Sequence, residues 1–152
     1  MPEPETCNCA ALREAARHVS KMYDDTLAPA GLGLNQYSIL ARLDRLSPCG
    51  IRDLARSLVM DRSTLGRLLR PLEKRSLVKI EVSKDDRRGR VLQLTRSGHA
   101  LLAKARPLWA EAQRRYVDGF GDSPAAELRA ILKQVTATDF SHAGKSRPIV
   151  SP

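Results

Sequence analysis

The chain has 152 residues, 42% of them hydrophobic, and carries 26 Lys and Arg against 17 Asp and Glu, a net charge of +9. That length and composition suit one domain able to bury a core of its own, and they exclude global disorder. There is no apolar run of roughly eighteen residues or more, and the acidic opening Met1-Pro2-Glu3-Pro4-Glu5-Thr6 lacks an apolar signal core. Neither a membrane span nor a secretory leader is expected, and the cytoplasm is the expected compartment.

Residues 1–8 read as a flexible arm. From Cys9 to Leu27, the residues Leu12, Ala15, Ala16, Val19, Met22, Tyr23 and Leu27 recur at helical spacing. The stretch Ala28-Pro29-Ala30-Gly31-Leu32-Gly33 breaks that helix. Asn35 is placed to cap a second helix that buries Ile39, Leu40, Leu43 and Leu46. Ser47-Pro48-Cys49-Gly50 reads as a turn. A short helix over 52–58 then buries Leu54, Ala55 and Leu58, and Asp61 caps a longer helix reaching about Arg75.

In that longer helix Leu65, Leu68, Leu69 and Leu72 stand at i, i+3, i+4 and i+7, a complete core stripe that turns Ser63, Gly66, Arg67, Arg70 and Lys74 outward. Pro71 lies inside the run. It lacks an N–H and frees the carbonyl of Arg67, which implies either a kink or an early end with residues 72–75 as a separate turn. Two helices joined by a short turn make a helix-turn-helix pattern.

After Ser76 the period shifts from 3.6 to about 2. Leu77, Val78, Ile80 and Val82 form one strand and Val91, Leu92 and Leu94 another; the charged segment from Ser83 to Arg90 between them is too long for a two-residue turn. Thr95 caps a long helix to about Phe120, with Leu101, Leu102, Ala105, Trp109, Ala112 and Tyr116 on one side. Ser123-Pro124 reads as the N-cap and first residue of a last helix carrying Leu128, Ile131, Leu132 and Val135. Residues 141–152 read as a disordered tail. The fold class is therefore mainly α (α+β): a winged helix-turn-helix over about 35–95 with a two-stranded β wing, flanked by long helices over about 9–27 and 95–139.

Charge and motif coincide. Between Arg52 and Arg96 there are 13 basic and 6 acidic residues, a balance of +7, which leaves only +2 for the rest of the chain. Such a surface displaces counterions from phosphates, although charge alone equally fits a solubilising face or a patch for an acidic partner. A major groove about 12 Å wide admits one helix, whose N-terminal residues reach base edges. Here that end offers Arg62, Ser63, Thr64 and Arg67, with Arg70 one turn further on. A narrow minor groove attracts an inserted arginine. The loop offers Lys84, Arg87, Arg88 and Arg90, and Asp86 is spaced to hold Arg88 by a bidentate pair.

These segments together resemble the MarR family of winged-helix regulators. The match runs through Leu34-Asn35-Gln36-Tyr37-Ser38-Ile39-Leu40, Leu54-Ala55, Met60-Asp61-Arg62-Ser63-Thr64-Leu65, Leu72-Glu73-Lys74-Arg75-Ser76-Leu77-Val78, Asp86-Arg87-Arg88 and Leu94-Thr95-Arg96-Ser97-Gly98, about half the chain. The resemblance implies a homodimer on near-palindromic double-stranded DNA, with the flanking helices as dimerisation elements. Arg62, Ser63, Thr64 and Arg67 match its groove-reading positions, Arg88 its minor-groove arginine and Asp86 the carboxylate that orients it. It breaks at Ser76, where the family has Gly to close the recognition helix.

The resemblance also implies a small-molecule effector, often an aromatic acid, bound between the dimerisation helices and the DNA-binding lobe, with Arg13, Arg17, Tyr37 and Arg42 as ligand-pocket residues. A redox signal is the alternative. Cys9 lies at the predicted start of the first helix, where the macrodipole favours a thiolate. Cys9 and Tyr23 are similar in position to the reactive cysteine and a pocket tyrosine of the hydroperoxide-sensing branch, and Cys7 stands ready as a resolving thiol.

Other classes find little support. Three cysteines make no disulfide framework, and Cys7-Asn-Cys9 has no second pair for a zinc site, so no metal or other cofactor is expected. There is no C-x-x-C, no phosphate-binding glycine loop and no H-E-x-x-H, so an enzyme reading rests on Cys9 alone, as in a thiol peroxidase. The basic region holds no aromatic residue, which removes the stacking platform of a single-stranded RNA binder.

Overall fold

The computed structural model describes residues 6–142, so the beginning of the N-terminal arm and the tail from residue 143 lie outside it. The elements run α1 (Asn8–Leu27), α2 (Leu34–Leu46), β1 (Cys49–Gly50), α3 (Ile51–Leu58), α4 (Arg62–Lys74), β2 (Val78–Val82), β3 (Arg90–Leu94), α5 (Arg96–Phe120) and α6 (Asp122–Ala137). The chain divides into two compact units within α5, one through Ala112 and one from Gln113 onward.

In the first unit a single core is built by the leucine stripes that the periodicity predicts. Leu27, Ile39, Leu40, Leu43, Leu54, Leu65, Leu72 and Leu92 have no exposed surface. Each contributes about 1.5–3 kcal/mol by leaving water, so α2, α3, α4 and the sheet form one cooperative block. The N-terminal part of α1 takes no part in it. Of the seven apolar positions predicted along that helix only Tyr23 and Leu27 are buried, and Leu12 stays 41% exposed. In the second unit, Tyr116 and Phe120 pack ring to ring at 5.5 Å, and Ala125 of α6 is buried. Ile131 on the apolar side of α6 remains 55% exposed.

Four of the departures from the sequence expectation have a hydrogen-bonding reason. Helix α1 begins at Asn8, one residue early, because Cys7 caps it, its sulfur accepting from the Ala10 N–H at 3.5 Å. Helix α2 begins at Leu34, with Gly33 and not Asn35 as N-cap. The Asp24 carboxylate reaches from α1 to accept the Leu34 N–H at 2.7 Å, and Gln36 accepts that of Gly33, so the free donors of the first turn find partners without Asn35. The expected turn at Cys49-Gly50 is a short strand paired to β3 at Leu92 and Val91, which makes the sheet three-stranded in the order β1-β3-β2. Last, α6 starts at Asp122 behind Gly121, which has φ +100; Ser123 lies inside the helix and donates to Glu127 at 2.9 Å. Pro124 is tolerated there because the first turn has no use for its missing N–H.

Helix α4 runs through Pro71 to Lys74 without the early end that proline allowed. Its C-terminus closes on Ser76, which takes a left-handed conformation at φ +57 despite not being glycine. The Ser76 N–H donates to the Glu73 carbonyl and the Leu77 N–H to that of Leu72, at 2.8 and 2.9 Å, the paired bonds of a Schellman motif. Thr95 fastens this turn from the far side of the wing: its hydroxyl donates to the Ser76 carbonyl at 2.6 Å and its N–H to the Leu77 carbonyl at 3.1 Å. The same hydroxyl accepts from the Gly98 N–H at 3.0 Å and caps α5. Gly98 is required by proximity, since a Cβ there would run into the Leu77 carbonyl oxygen. Ser76→Gly should therefore raise stability by about 1 kcal/mol through relief of the left-handed strain. Gly98→Ala should lower it by about 1–3 kcal/mol through overpacking, both read by urea denaturation.

Candidate nucleic-acid interface

The N-terminus of α4 is held by Asp61, whose carboxylate accepts from the Thr64 N–H at 2.8 Å. The same carboxylate also accepts from the Thr64 hydroxyl at 2.6 Å and the Ser63 hydroxyl at 2.7 Å. These bonds, the Thr64 hydroxyl's first, hold the Asp61 carboxyl well below the usual carboxylate range. Both hydroxyls thus have their protons engaged on Asp61, Ser63 exposed and Thr64 half-buried. Arg62, Ser63, Arg67 and Arg70 are exposed on this side of the helix, as the leucine stripe on the opposite side requires. Between them sits Gly66, with nothing within 4 Å of a would-be Cβ, so its backbone is bare on the outward face.

The wing tip is built by its small residues. Ser83 accepts through its hydroxyl from the Asp85 and Asp86 N–H groups, both at 3.3 Å, and donates its own N–H to the Gly89 carbonyl. Gly89 donates back to the Asp86 carbonyl at 2.8 Å. Asp86 engages Arg88, but not by the bidentate pair expected from the sequence: its carboxylate accepts from the Arg88 backbone N–H at 2.9 Å. Two residues of separation favour this local ring over a return of the long side chain. The Arg88 guanidinium is left exposed. Arg90, the first residue of β3, folds over the loop and donates to the Gly89 carbonyl at 3.2 Å. Lys84 and Arg87 are exposed at the tip.

Between the wing base and the starts of α3 and α4 lies a cleft of about 420 Å³ lined by Arg52, Arg56, Arg62, Arg88 and Arg90, together with Asp53 and Asp86. Sequence reasoning missed Arg52 and Arg56; the only trace of them was the local excess of positive charge.

The proposed sensing residues are not drawn together in the same way. Tyr37 is buried, its ring stacked on Trp109 at 5.9 Å, and burial pushes its phenol above the usual range while Arg106 pulls it down. Arg13 and Arg17 are exposed on α1, and Arg42 is half-buried on α2. The polar link between α2 and α5 is instead Asp44, which pairs with Arg106 at 2.6 Å and His99 at 3.0 Å. Cys7 and Cys9 are both exposed. Tyr23 does not join them within one chain: it stands fourteen positions after Cys9 along α1, about 21 Å of helix. Burial raises the Cys49 thiol, which makes it the least reactive candidate by environment. Among the described residues no group of three His, Cys, Asp or Glu could hold a metal ion, and no helix is long and apolar enough to cross a membrane.

A helix with a basic, outward N-terminus, followed by a hairpin with an arginine at its tip, defines a winged helix-turn-helix of the DNA-binding class. The MarR family model matches residues 32–89. The transcriptional regulator MosR of Mycobacterium tuberculosis, solved in complex with DNA, is 34% identical with a TM-score of 0.76, over 86% of this chain and 95% of that one. The transcriptional repressor CouR, solved on a 23-mer DNA duplex, is 29% identical with a TM-score of 0.78, over 90% and 96%. The HTH-type transcriptional regulator Hpr of Bacillus cytotoxicus is 26% identical over 132 residues, 82% of this chain and 71% of its own. The chain belongs to the MarR family and is a transcriptional regulator of that type.

Gly66 provides a direct check of the α4 face. Gly66→Ala should stabilise the fold by about 0.5–1 kcal/mol, because it adds helix propensity in open space. The same change should weaken binding to duplex DNA if α4 seats its backbone against the groove, so thermal melts and mobility-shift titrations should move in opposite directions.

Proposed function

We propose that this protein is a homodimeric, sequence-specific repressor that binds a near-palindromic operator and is modulated by a small molecule, an aromatic acid being the leading class. Each protomer would place the start of α4 in the major groove, with Arg62, Ser63, Thr64 and Arg67 at base edges and Arg70 near the backbone, and would insert Arg88 in the adjacent minor groove. Lys84, Arg87 and Arg90 supply further positive charge at the wing. The observation that carries this reading is the pairing of two prearranged elements: a helix start fixed by Asp61 and a wing tip in which Asp86 shapes the backbone without neutralising Arg88. The homodimer is supported by apolar positions left open in each unit taken alone, Leu12 on α1 and Ile131 on α6. The repressor assignment follows the similarity to CouR, and the effector follows family membership.

Arg88→Ala should weaken duplex binding by tenfold or more, while leaving the melting curve and the oligomeric state unchanged. Arg67→Ala should weaken binding and relax base preference, a loss of about 1–3 kcal/mol if it reads a base. Wild-type affinity should fall steeply with added salt. A flat salt response with unaltered affinity in Arg88→Ala would remove the reading.

A second signal is favoured by the use of a thiol as helix cap. We propose that a hydroperoxide oxidises Cys9 to the sulfenic acid with release of the alcohol, and that the Cys7 thiol then displaces water to form a Cys7–Cys9 disulfide. The two thiols lose two electrons and the peroxide gains them. The bond would draw the Cys7 sulfur away from the Ala10 N–H and open the first turn of α1. Peroxide should release DNA from the wild type and leave Cys9→Ser bound; equal sensitivity in the two proteins would rule the switch out.

A further inference from the structure

The two DNA-reading elements proposed above are separated by a third surface that has been given no role. In duplex DNA a major groove and the minor groove beside it are divided by one sugar–phosphate backbone. A protein that lays α4 in the first and a wing in the second must straddle that backbone, and whatever lies between them faces phosphates. In this chain the space between them is the arginine cleft.

The cleft joins segments distant in sequence: Arg52 and Arg56 from α3, Arg62 from the first residue of α4, and Arg88 and Arg90 from the wing. Five arginines and two aspartates line this cleft of about 420 Å³, an excess of three positive charges. The carboxylates do little to cancel it. Asp86 is turned onto the Arg88 backbone N–H, and Asp53 lies 3.8 Å from Arg56, with both side chains largely in solvent. Among the described residues, Arg52, Arg62 and Arg88 have no carboxylate partner within ion-pair distance. Water and salt screen such a cluster in the free protein, but a site of this kind is completed by an anion. Guanidinium is suited to this, since its planar fork matches two phosphate oxygens.

We infer that this cleft is a phosphate clamp in which Arg52 and Arg56 grip the DNA backbone between the two grooves. The inference rests on the proposed duplex-binding mode and assigns these two residues affinity and register, with no part in base choice. Backbone contacts carry no sequence information, whereas base contacts do. The arginines of α3 should therefore act alike on every duplex.

The experiment uses the full chain and a duplex that the protein itself enriches from a random library, beside a scrambled duplex of equal length. Arg52→Gln and Arg56→Gln should each weaken binding to both duplexes by roughly tenfold. Each should also make the slope of log affinity against log salt shallower by about 0.9 for every phosphate no longer neutralised, twice that for a dimer. For the wild-type protein, ethylation of the phosphates bordering both grooves should block complex formation, a result that does not depend on how any variant folds. Unchanged affinity and slope in both variants, or a weakening confined to the selected duplex, would overturn the clamp while Arg88→Ala still bound more weakly than the wild type. If Arg88→Ala also bound as the wild type does, the duplex-binding mode itself would fall, and the clamp with it.

Discussion

The carbonyl group of Leu77 stands where three parts of the interface meet. It accepts the Thr95 N–H, it lies against Gly98 too closely for any side chain there, and the Leu77 N–H closes the end of α4 on Leu72. One short segment thereby fixes the end of α4, the base of the wing and the beginning of α5 relative to one another. A hairpin alone is marginally stable in water. Here both ends of the β2–β3 ribbon are tied to helices within two residues of the strand termini, so the wing can project a charged tip without depending on a core of its own. That dependence explains why a strained left-handed serine is tolerated at position 76: its backbone groups are satisfied on both sides, and the surroundings over-determine its conformation.

Two acidic residues of the interface follow a common rule, and a third departs from it. Asp61, Asp86 and Asp53 all lie within a surface of strong positive charge, yet the first two point their oxygens at backbone amides and the third sits in the first turn of α3. A carboxylate engaged on N–H groups shapes the backbone without pairing off a guanidinium. Positive charge is thereby kept available, and the loops that carry it are still ordered. This is the physical basis for a basic surface that is structured before any ligand arrives, so little ordering entropy remains to oppose binding.

Much of the architecture was legible in the residues. The stripe Leu65, Leu69, Leu72 placed α4 in register and turned Arg67 and Arg70 outward; the change of period after Ser76 announced the ribbon; Asp61 and Thr95 announced two caps. Two of the departures share one cause. Asn35 gave way to Gly33 as the α2 cap, with Asp24 accepting an amide ten residues away, and Cys49-Gly50 became a strand by pairing with residues more than forty positions on. The expected Asp86–Arg88 side-chain pair gave way to a backbone bond that charge alone did not signal. A local pattern reports which groups seek partners; it does not report which partner arrives first in space.

The sequence by itself therefore determined the order of elements, their buried faces and the segment that carries the charge, because helical and strand periodicity are written in near neighbours. Only the tertiary structure decided that Arg52, Arg56, Arg62, Arg88 and Arg90 share one cleft, that Ser76 takes the left-handed turn without glycine, and that Tyr37 is covered by Trp109. These are consequences of packing between segments remote along the chain. Their energetics depend on distance in space, which no spacing within one segment can fix.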